Sequence, residues 1–273
     1  MENSMIEQLI SVAAGPRDEA MQVTAYGTTD VGNKRKRNED AYLIDEQLRL
    51  FVVCDGMGGH AAGDVAAQKT IEFMADLIRQ NKSALCDAQS SPDGESKIAE
   101  LVKTATVQTG HHISELASAH AEYAGMGTTM TMLSIVGNKG AMSHIGDSRL
   151  YLLRSDNLKQ LSTDHTLAND LLHCGILTNN DFEISCFHHM LTRAIGRDEI
   201  VECDTLLFDV LPEDRFLLCS DGLTRHVGTS AELTGLLRRP DLASIPEELV
   251  TLANHRGGLD NITVVVVHVT ADD

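Results

Sequence analysis

The chain has no tryptophan, six phenylalanines and four tyrosines among its 273 residues. Its core must therefore rest on Val, Ile, Leu, Ala and Met and not on large rings. It also lacks any run of about 18 apolar residues, which argues against a membrane span. The opening segment MENSMIEQLI has neither the basic start nor the long apolar stretch of a secretory signal. No C-x-x-C pair occurs. The six cysteines, Cys54, Cys86, Cys174, Cys186, Cys203 and Cys219, have the spacing of neither a zinc site nor a disulfide scaffold. Reduced thiols in a cytoplasmic protein are the simplest reading. Cys54 and Cys219 close apolar runs and are expected to pack as small hydrophobes. Positive charge is scarce as well. With 22 Lys and Arg against 40 Asp and Glu, the net charge is -18. That argues against nonspecific nucleic-acid binding, which depends on cations neutralising phosphates. Most of such acidity serves solubility. Part of it can come from clustered carboxylates that hold divalent cations.

What is present is ordinary for a globular chain: 42% hydrophobic and 23% charged residues. This length can bury a sizeable core. Residues 1–20 read as a short leader ending near Gly15-Pro16. Strands are expected at 23–28, 50–54, 128–136, 141–145, 150–153, 201–208, 215–219 and 262–269, the last a β-branched run suited to burial on both faces. Helical spacing covers 61–80 and about 97–122, with shorter pieces at 167–173, 230–238 and 246–255. Residues 81–96 contain Ser90-Ser91-Pro92-Asp93-Gly94 and read as a loop. Two long helices set among many strands suggest layered sheet-and-helix packing and not a βαβ repeat.

Acidic residues stand in unusual local settings. Glu39 and Asp40 lie just ahead of a strand, and Asp55 ends a strand beside Gly56. Asp147 sits in Gly146-Asp147-Ser148-Arg149 between two strands, Asp221 ends a strand before Gly222, and Asp260 precedes Asn261 and the last strand. FVVCDG at 51–56 and FLLCSDG at 216–222 echo one another, each an apolar strand delivering a carboxylate to a sheet end. Taken singly, an Asp-Gly pair is most often a plain turn. Together, carboxylates, a backbone carbonyl and water are the ligand set of Mg²⁺ or Mn²⁺. Two such ions about 4 Å apart can clamp a phosphoryl group.

R-x-x-x-E-D at 35–40, DGMGGH at 55–60, GTT at 127–129, GDSR at 146–149, SDGL at 220–223 and DNIT at 260–263 follow in that order. Any one is weak; the six together are specific. The chain closely resembles the metal-dependent protein serine/threonine phosphatases (the PPM family, or type 2C phosphatases), in their compact bacterial form, over about residues 22–269. The resemblance implies an α+β fold, a four-layer α-β-β-α sandwich with a bimetal centre at one end of the two central sheets. The catalytic domain would span 21–270, with a flap region at about 162–198. The resemblance places metal ligands on Asp55, the backbone carbonyl of Gly56, Asp221 and Asp260, with Glu39 and Asp40 as an acidic pair that holds one metal directly or through water. Asp147 is a further metal position. Arg35 matches the phosphate-binding arginine, whose planar fork suits two phosphate oxygens. The others of Lys34 to Arg37 read as a solvated basic loop.

The implied cofactors are two Mn²⁺ or Mg²⁺ ions, and the implied chemistry is direct attack of a metal-bridged water without a phosphoenzyme. His60 is the candidate proton donor to the leaving alkoxide, set against a packing role at the start of a helix. The other histidines, including the pairs His111-His112 and His188-His189, read as surface or structural. Many relatives carry Asp where this chain has Arg225, so a third ion is expected to bind weakly. The expected partners are phosphorylated protein substrates, among them a serine/threonine kinase or its targets, with no nucleic acid and no membrane. Two other readings compete: a phosphatase of an anti-sigma-factor antagonist, which Arg35 argues against, and a silent phosphoprotein-binding module, which the retained Asp55, Asp221 and Asp260 argue against.

Overall fold

The computed structural model describes residues 21–58, 62–178, 186–197 and 200–272. The leader expected over 1–20 and His60 lie outside these residues. The strands are β1 (Met21–Asp30), β2 (Asp40–Asp45), β3 (Leu50–Met57), β4 (Gly127–Thr128), β5 (Met130–Val136), β6 (Lys139–Ile145), β7 (Arg149–Arg154), β8 (Asn157–Gln160), β9 (Asp204–Asp209), β10 (Arg215–Cys219) and β11 (Ile262–Ala271). They form two antiparallel sheets, one ordered β1-β11-β10-β7-β8 and the other β2-β3-β5-β6-β9, with β4 paired to β3.

Side-chain alternation explains why the two sheets stack. In β11, Val265, Val267 and Val269 enter the core between the sheets, while Ile262, Val264 and Val266 enter a second core beneath helices. In β3, Phe51 and Val53 face the other sheet, while Leu50, Val52 and Cys54 face a helical layer. The β-branched run of β11 is thus buried on both faces, as its composition indicates, but within an antiparallel sheet. Three separate cores between four layers make the expected α-β-β-α sandwich.

The layer over β2-β3-β5-β6-β9 consists of α1 (Gly63–Gln80), α2 (Lys82–Gln89) and α3 (Gly94–Ala119). Ala67, Ile71, Met74 and Ile78 supply the buried stripe of α1, with Asp64 in its first turn and Arg79 in its last, as the helix dipole favours. The α2 helix was expected to be loop. Its polar composition hid two apolar contacts, Leu85 and Ala88, whose three-residue spacing fixes one turn against the sheet. A short helix, α4 (Leu167–His173), lies in the segment expected to be a flap; its N-cap Thr166 side chain accepts from the Asn169 amide. Over the other sheet lie α5 (Asp221–Thr224), α6 (Ser230–Leu237) and α7 (Ile245–His255). Asp221 does not end a strand: β10 stops at Cys219 and Asp221 opens α5. Two further differences are β8, missed because NLKQ has no apolar alternation, and the start of β9 at Asp204, where its pairing with His144 begins.

Away from the acidic motifs, a buried ion pair ties the sheets together. Arg154, at the end of β7, donates from Nε and Nη2 to the two carboxylate oxygens of Asp214 at 2.8 and 2.6 Å, and from Nη2 to the Asp209 carbonyl at the end of β9 at 2.7 Å. Both side chains are buried, at 6% and 1% exposure. Asp214→Ala would strand the guanidinium in the interior, a change that costs about 3–5 kcal/mol. Thermal unfolding of this variant is expected about 10 °C lower. A shift under 2 °C would show that the pair is dispensable.

Candidate metal centre

Alternation also places the acidic residues. Asp40 and Asp55 are directly opposite one another in the β2-β3 ladder. Asp55 shares the face of Phe51 and Val53, and Asp40 that of Tyr42 and Ile44, all members of the core between the sheets. On the other sheet, Ser220 continues the inward series Phe216 and Leu218, and Thr263 precedes Val265 on the same face. The chain crosses from one sheet to the other in this region through residues 31–39 and 146–148. Those two connections carry Arg35, Glu39 and Asp147. The end of the sandwich thus collects carboxylates where the apolar inter-sheet core stops.

Asp40 is buried and held by two hydroxyls. Ser220 Oγ and Thr263 Oγ1 both donate to its Oδ2 at 2.7 Å. Thr29 Oγ1 lies 2.7 Å from Thr263 Oγ1 and in turn accepts from Asn38 Nδ2 at 2.8 Å, so a hydroxyl relay ends on this carboxylate. Asp40 Oδ1 and Asp221 Oδ1 are buried with no hydrogen-bond partner among the described residues. Burial raises the Asp40 carboxyl to about 7, against the pull of those two hydroxyls. Burial, then the charges of Asp221 and Asp164, raise Asp147 to about 8. Asp55 is raised well above the usual carboxylate range by burial and by Asp40, and Asp221 is raised by burial. Glu39 is raised by burial and by Asp64.

Two arginines face this charge. Arg35 Nη2 donates to Asp260 Oδ2 at 2.8 Å from the β1-β2 connection. Arg225, following α5, pairs with Asp221 Oδ2 and places its other nitrogen 3.4 Å from Asp260 Oδ2. Two guanidinium groups do not satisfy the buried oxygens on Asp40 and Asp221, which are suited to a compact cation. Among the described residues, no three His, Cys, Asp or Glu side chains close on one point. The donor set therefore fits hard ions that retain several waters and take one or two carboxylates each, as Mg²⁺ and Mn²⁺ do, and not a dry all-protein cage.

The residues matched by sequence motif thus meet here: Arg35, Asp40, Asp55, Asp147, Asp221 and Asp260 are linked by contact or by mutual electrostatic influence, and Glu39 lies beside them. A family model described as Protein phosphatase 2C matches residues 31–259. The chain belongs to the protein phosphatase 2C family. Protein phosphatase PhpP of Streptococcus pneumoniae is 34% identical over 248 residues, covering 90% of this chain and 97% of that protein. The crystal structure of the Mycobacterium tuberculosis serine/threonine phosphatase PstP superposes with a TM-score of 0.78 at 33% identity, covering 90% of this chain and 98% of that one. A structure of the PstP catalytic domain in complex with two manganese ions gives a TM-score of 0.75 at 33% identity, covering 92% of this chain and 100% of that one.

In this 2C-family phosphatase the Asp-Gly motifs have a steric cause. A Cβ on Gly56 would fall 2.2 Å from the Gly63 carbonyl oxygen, and one on Gly222 would fall 1.9 Å from the Asn261 carbonyl oxygen. Only glycine lets those backbones approach so closely. Asn261 is a positioning residue that the motif reading passed over. Its Nδ2 donates to the carbonyls of Val31 and Arg37, both at 2.9 Å, and its Oδ1 accepts from the Glu39 amide at 2.9 Å. An Asn between a candidate ligand and a buried strand was the available signal. His189, read from sequence as surface or structural, sits where Arg225, Asp221 and Asp260 influence it; burial first, then Arg225, lowers its pKa.

The raised carboxyl pKa values fix the sign of a pH effect in the metal-free phosphatase. The folded state holds protons on Asp40 and Asp147 up to about 7 and about 8, whereas the unfolded chain releases them near the ordinary aspartate value of 3.8. Their contribution is complete below pH 4 and is lost as pH rises through 7–8. Bound cations replace those protons and remove the loss. The melting temperature of chelator-treated protein is expected to fall by roughly 5 °C between pH 6 and pH 8.5, and to stay level with saturating Mg²⁺. Parallel pH slopes with and without Mg²⁺ would contradict this account of the cluster.

Proposed function

We propose that this phosphatase removes phosphate from serine and threonine side chains of other proteins, opposing a serine/threonine kinase. The observation that carries the reading is the meeting of buried carboxylates, two of them with oxygens unpartnered among the described residues, beside an exposed arginine at one end of the sandwich. The relatives PhpP and PstP support it, since the former is named a protein phosphatase and the latter a serine/threonine phosphatase. The manganese-bound PstP supports two ions here, Mn²⁺ or Mg²⁺. Asp55, the Gly56 carbonyl, Asp221 and Asp260 would hold them. Asp40 would act directly through its free Oδ1, and Glu39 through water. Asp147 and Asp221 could hold a third, weaker ion, because the Arg225 cation already neutralises Asp221.

When bound, the two cations supply an acidic water as the nucleophile and positive charge for the phosphoryl oxygens. The protein's own groups do the rest. Arg35 can exchange Asp260 for phosphate oxygens and so keep its charge paired from the free enzyme to the complex. Asn261 holds the backbone that carries Arg35 and Glu39, which fixes where that guanidinium reaches. The serine or threonine alkoxide leaves with a proton, and His60 is the candidate donor. Among the described residues no helix is long and apolar enough to cross a membrane. The free cysteines support a cytoplasmic setting.

Hydrolysis of a phosphothreonine peptide is expected with Mn²⁺ or Mg²⁺ and none with EDTA. Activity that persists in EDTA would refute metal dependence. Arg35→Ala is expected to raise KM about tenfold or more with kcat changed only a few-fold, with Arg35→Lys restoring only part of the loss. Unchanged kinetics would mean that another cation binds phosphate. Asp221→Asn should lower kcat about a hundredfold or more while circular dichroism stays native. Near wild-type turnover in that variant would dismiss Asp221 as a metal ligand.

A further inference from the structure

Residues 34–37, Lys-Arg-Lys-Arg, are the longest basic run in a chain of net charge -18. Their place in the fold is not that of a free loop. The backbone around them is pinned on both sides. Asn33 donates from its amide to the Gly258 carbonyl at 2.8 Å and from Nδ2 to the Asn254 carbonyl at 2.6 Å. Asn261 Nδ2 bonds the Val31 and Arg37 carbonyls, and Asn38 Nδ2 bonds Thr29. All four basic side chains are nevertheless exposed. Only Arg35 forms an ion pair among the described residues, and it does so with Asp260 of the metal centre. Lys34, Lys36 and Arg37 have no ion pair or side-chain hydrogen bond with any described residue.

Three cations are therefore held next to Arg35 by a fixed backbone; none is in an ion pair among the described residues, and only Arg37 acts electrostatically on the acidic centre, through Glu39. An acidic protein gains nothing for solubility from four adjacent positive charges. Nucleic acid is disfavoured as the target, because the remaining surface is acidic and would repel a polyanion extending beyond the rim. A short segment carrying a few negative charges close to a phosphorylated residue is not subject to that repulsion. Resting on the phosphatase reading above, we propose that Lys34, Lys36 and Arg37 are specificity determinants that select phosphoserine or phosphothreonine sites flanked by acidic or further phosphorylated residues. Arg35 takes the scissile phosphate, and its neighbours take the charges on either side of it.

The test uses the full chain at saturating Mg²⁺ and three phosphothreonine peptides that differ only in flanking Glu, Ser or Lys, with p-nitrophenyl phosphate as a substrate without flanks. Wild type is expected to show kcat/KM on the order of tenfold higher for Glu flanks than for Ser flanks, from a few exposed pairs of modest strength. The difference should shrink as salt is raised. K34S/K36S should lose most of the preference and keep wild-type turnover of p-nitrophenyl phosphate. Equal rates on the Glu and Ser peptides in wild type, or a preference undiminished in the double variant, would overturn the proposal. A preference for a single-stranded oligonucleotide as competitor over the Glu peptide would overturn it in favour of nucleic acid. A chain that hydrolyses none of the four substrates would contradict the phosphatase reading instead. Peptide binding by fluorescence anisotropy then decides the flank question, with equal affinities for Glu and Ser flanks counting against it.

Discussion

Everything at the functional end of this protein follows from one electrostatic constraint: several carboxylates are confined where the core between two sheets ends. Asp40 and Asp55 sit opposite each other in neighbouring strands, an arrangement of like charges that is unfavourable by itself. Asp147 and Asp221 add to the same field. A fold cannot keep such a group ionised without a counterion. Protons, arginines and divalent cations are the three available kinds, and the structure has a place for each.

The surrounding construction answers that constraint. Hydroxyls of Ser220 and Thr263 hold one oxygen of Asp40 and leave the other open, so the carboxylate is oriented without being consumed. Arg35 and Arg225 cover Asp260 and Asp221 from opposite directions in sequence. Asn261 ties the loop bearing Arg35 to the strand that follows Asp260, so the candidate phosphate-binding cation and a candidate metal ligand share one rigid frame. Elsewhere the sheets are joined by Arg154 and Asp214, an ion pair with every charge matched inside the protein. The two kinds of site differ in this respect: one is electrostatically complete and structural, the other is left incomplete and suited to binding.

Function follows from that incompleteness. A group of acids that outnumbers its arginines binds divalent cations, and cations held with open positions bind phosphoryl oxygens. The membership in the 2C family and the likeness to a manganese-bound phosphatase agree with this reading of the geometry. The basic loop at the rim extends the same logic outward. Positive charge on a surface otherwise strongly negative marks where an anionic substrate can approach.

Much of this was legible in the residues alone. The continuous apolar runs of β3, β10 and β11 and the apolar stripe of α1 marked those elements, and the six ordered motifs, through the family they resemble, implied the layers and most of the acidic centre, because local periodicity and short-range spacing are written directly in the chain. The α2 helix and β8 were not legible, since their polar sequences are held in place by contacts with distant elements. Nor could spacing reveal that Asp40 faces Ser220 and Thr263 across 180 and 223 residues, or that Asn261 fastens the loop of Arg35. The sequence by itself determined which groups carry the charge. Only the tertiary structure decided which of those groups share one low-dielectric space, and it is that sharing which raises their pKa values and creates the demand for metal.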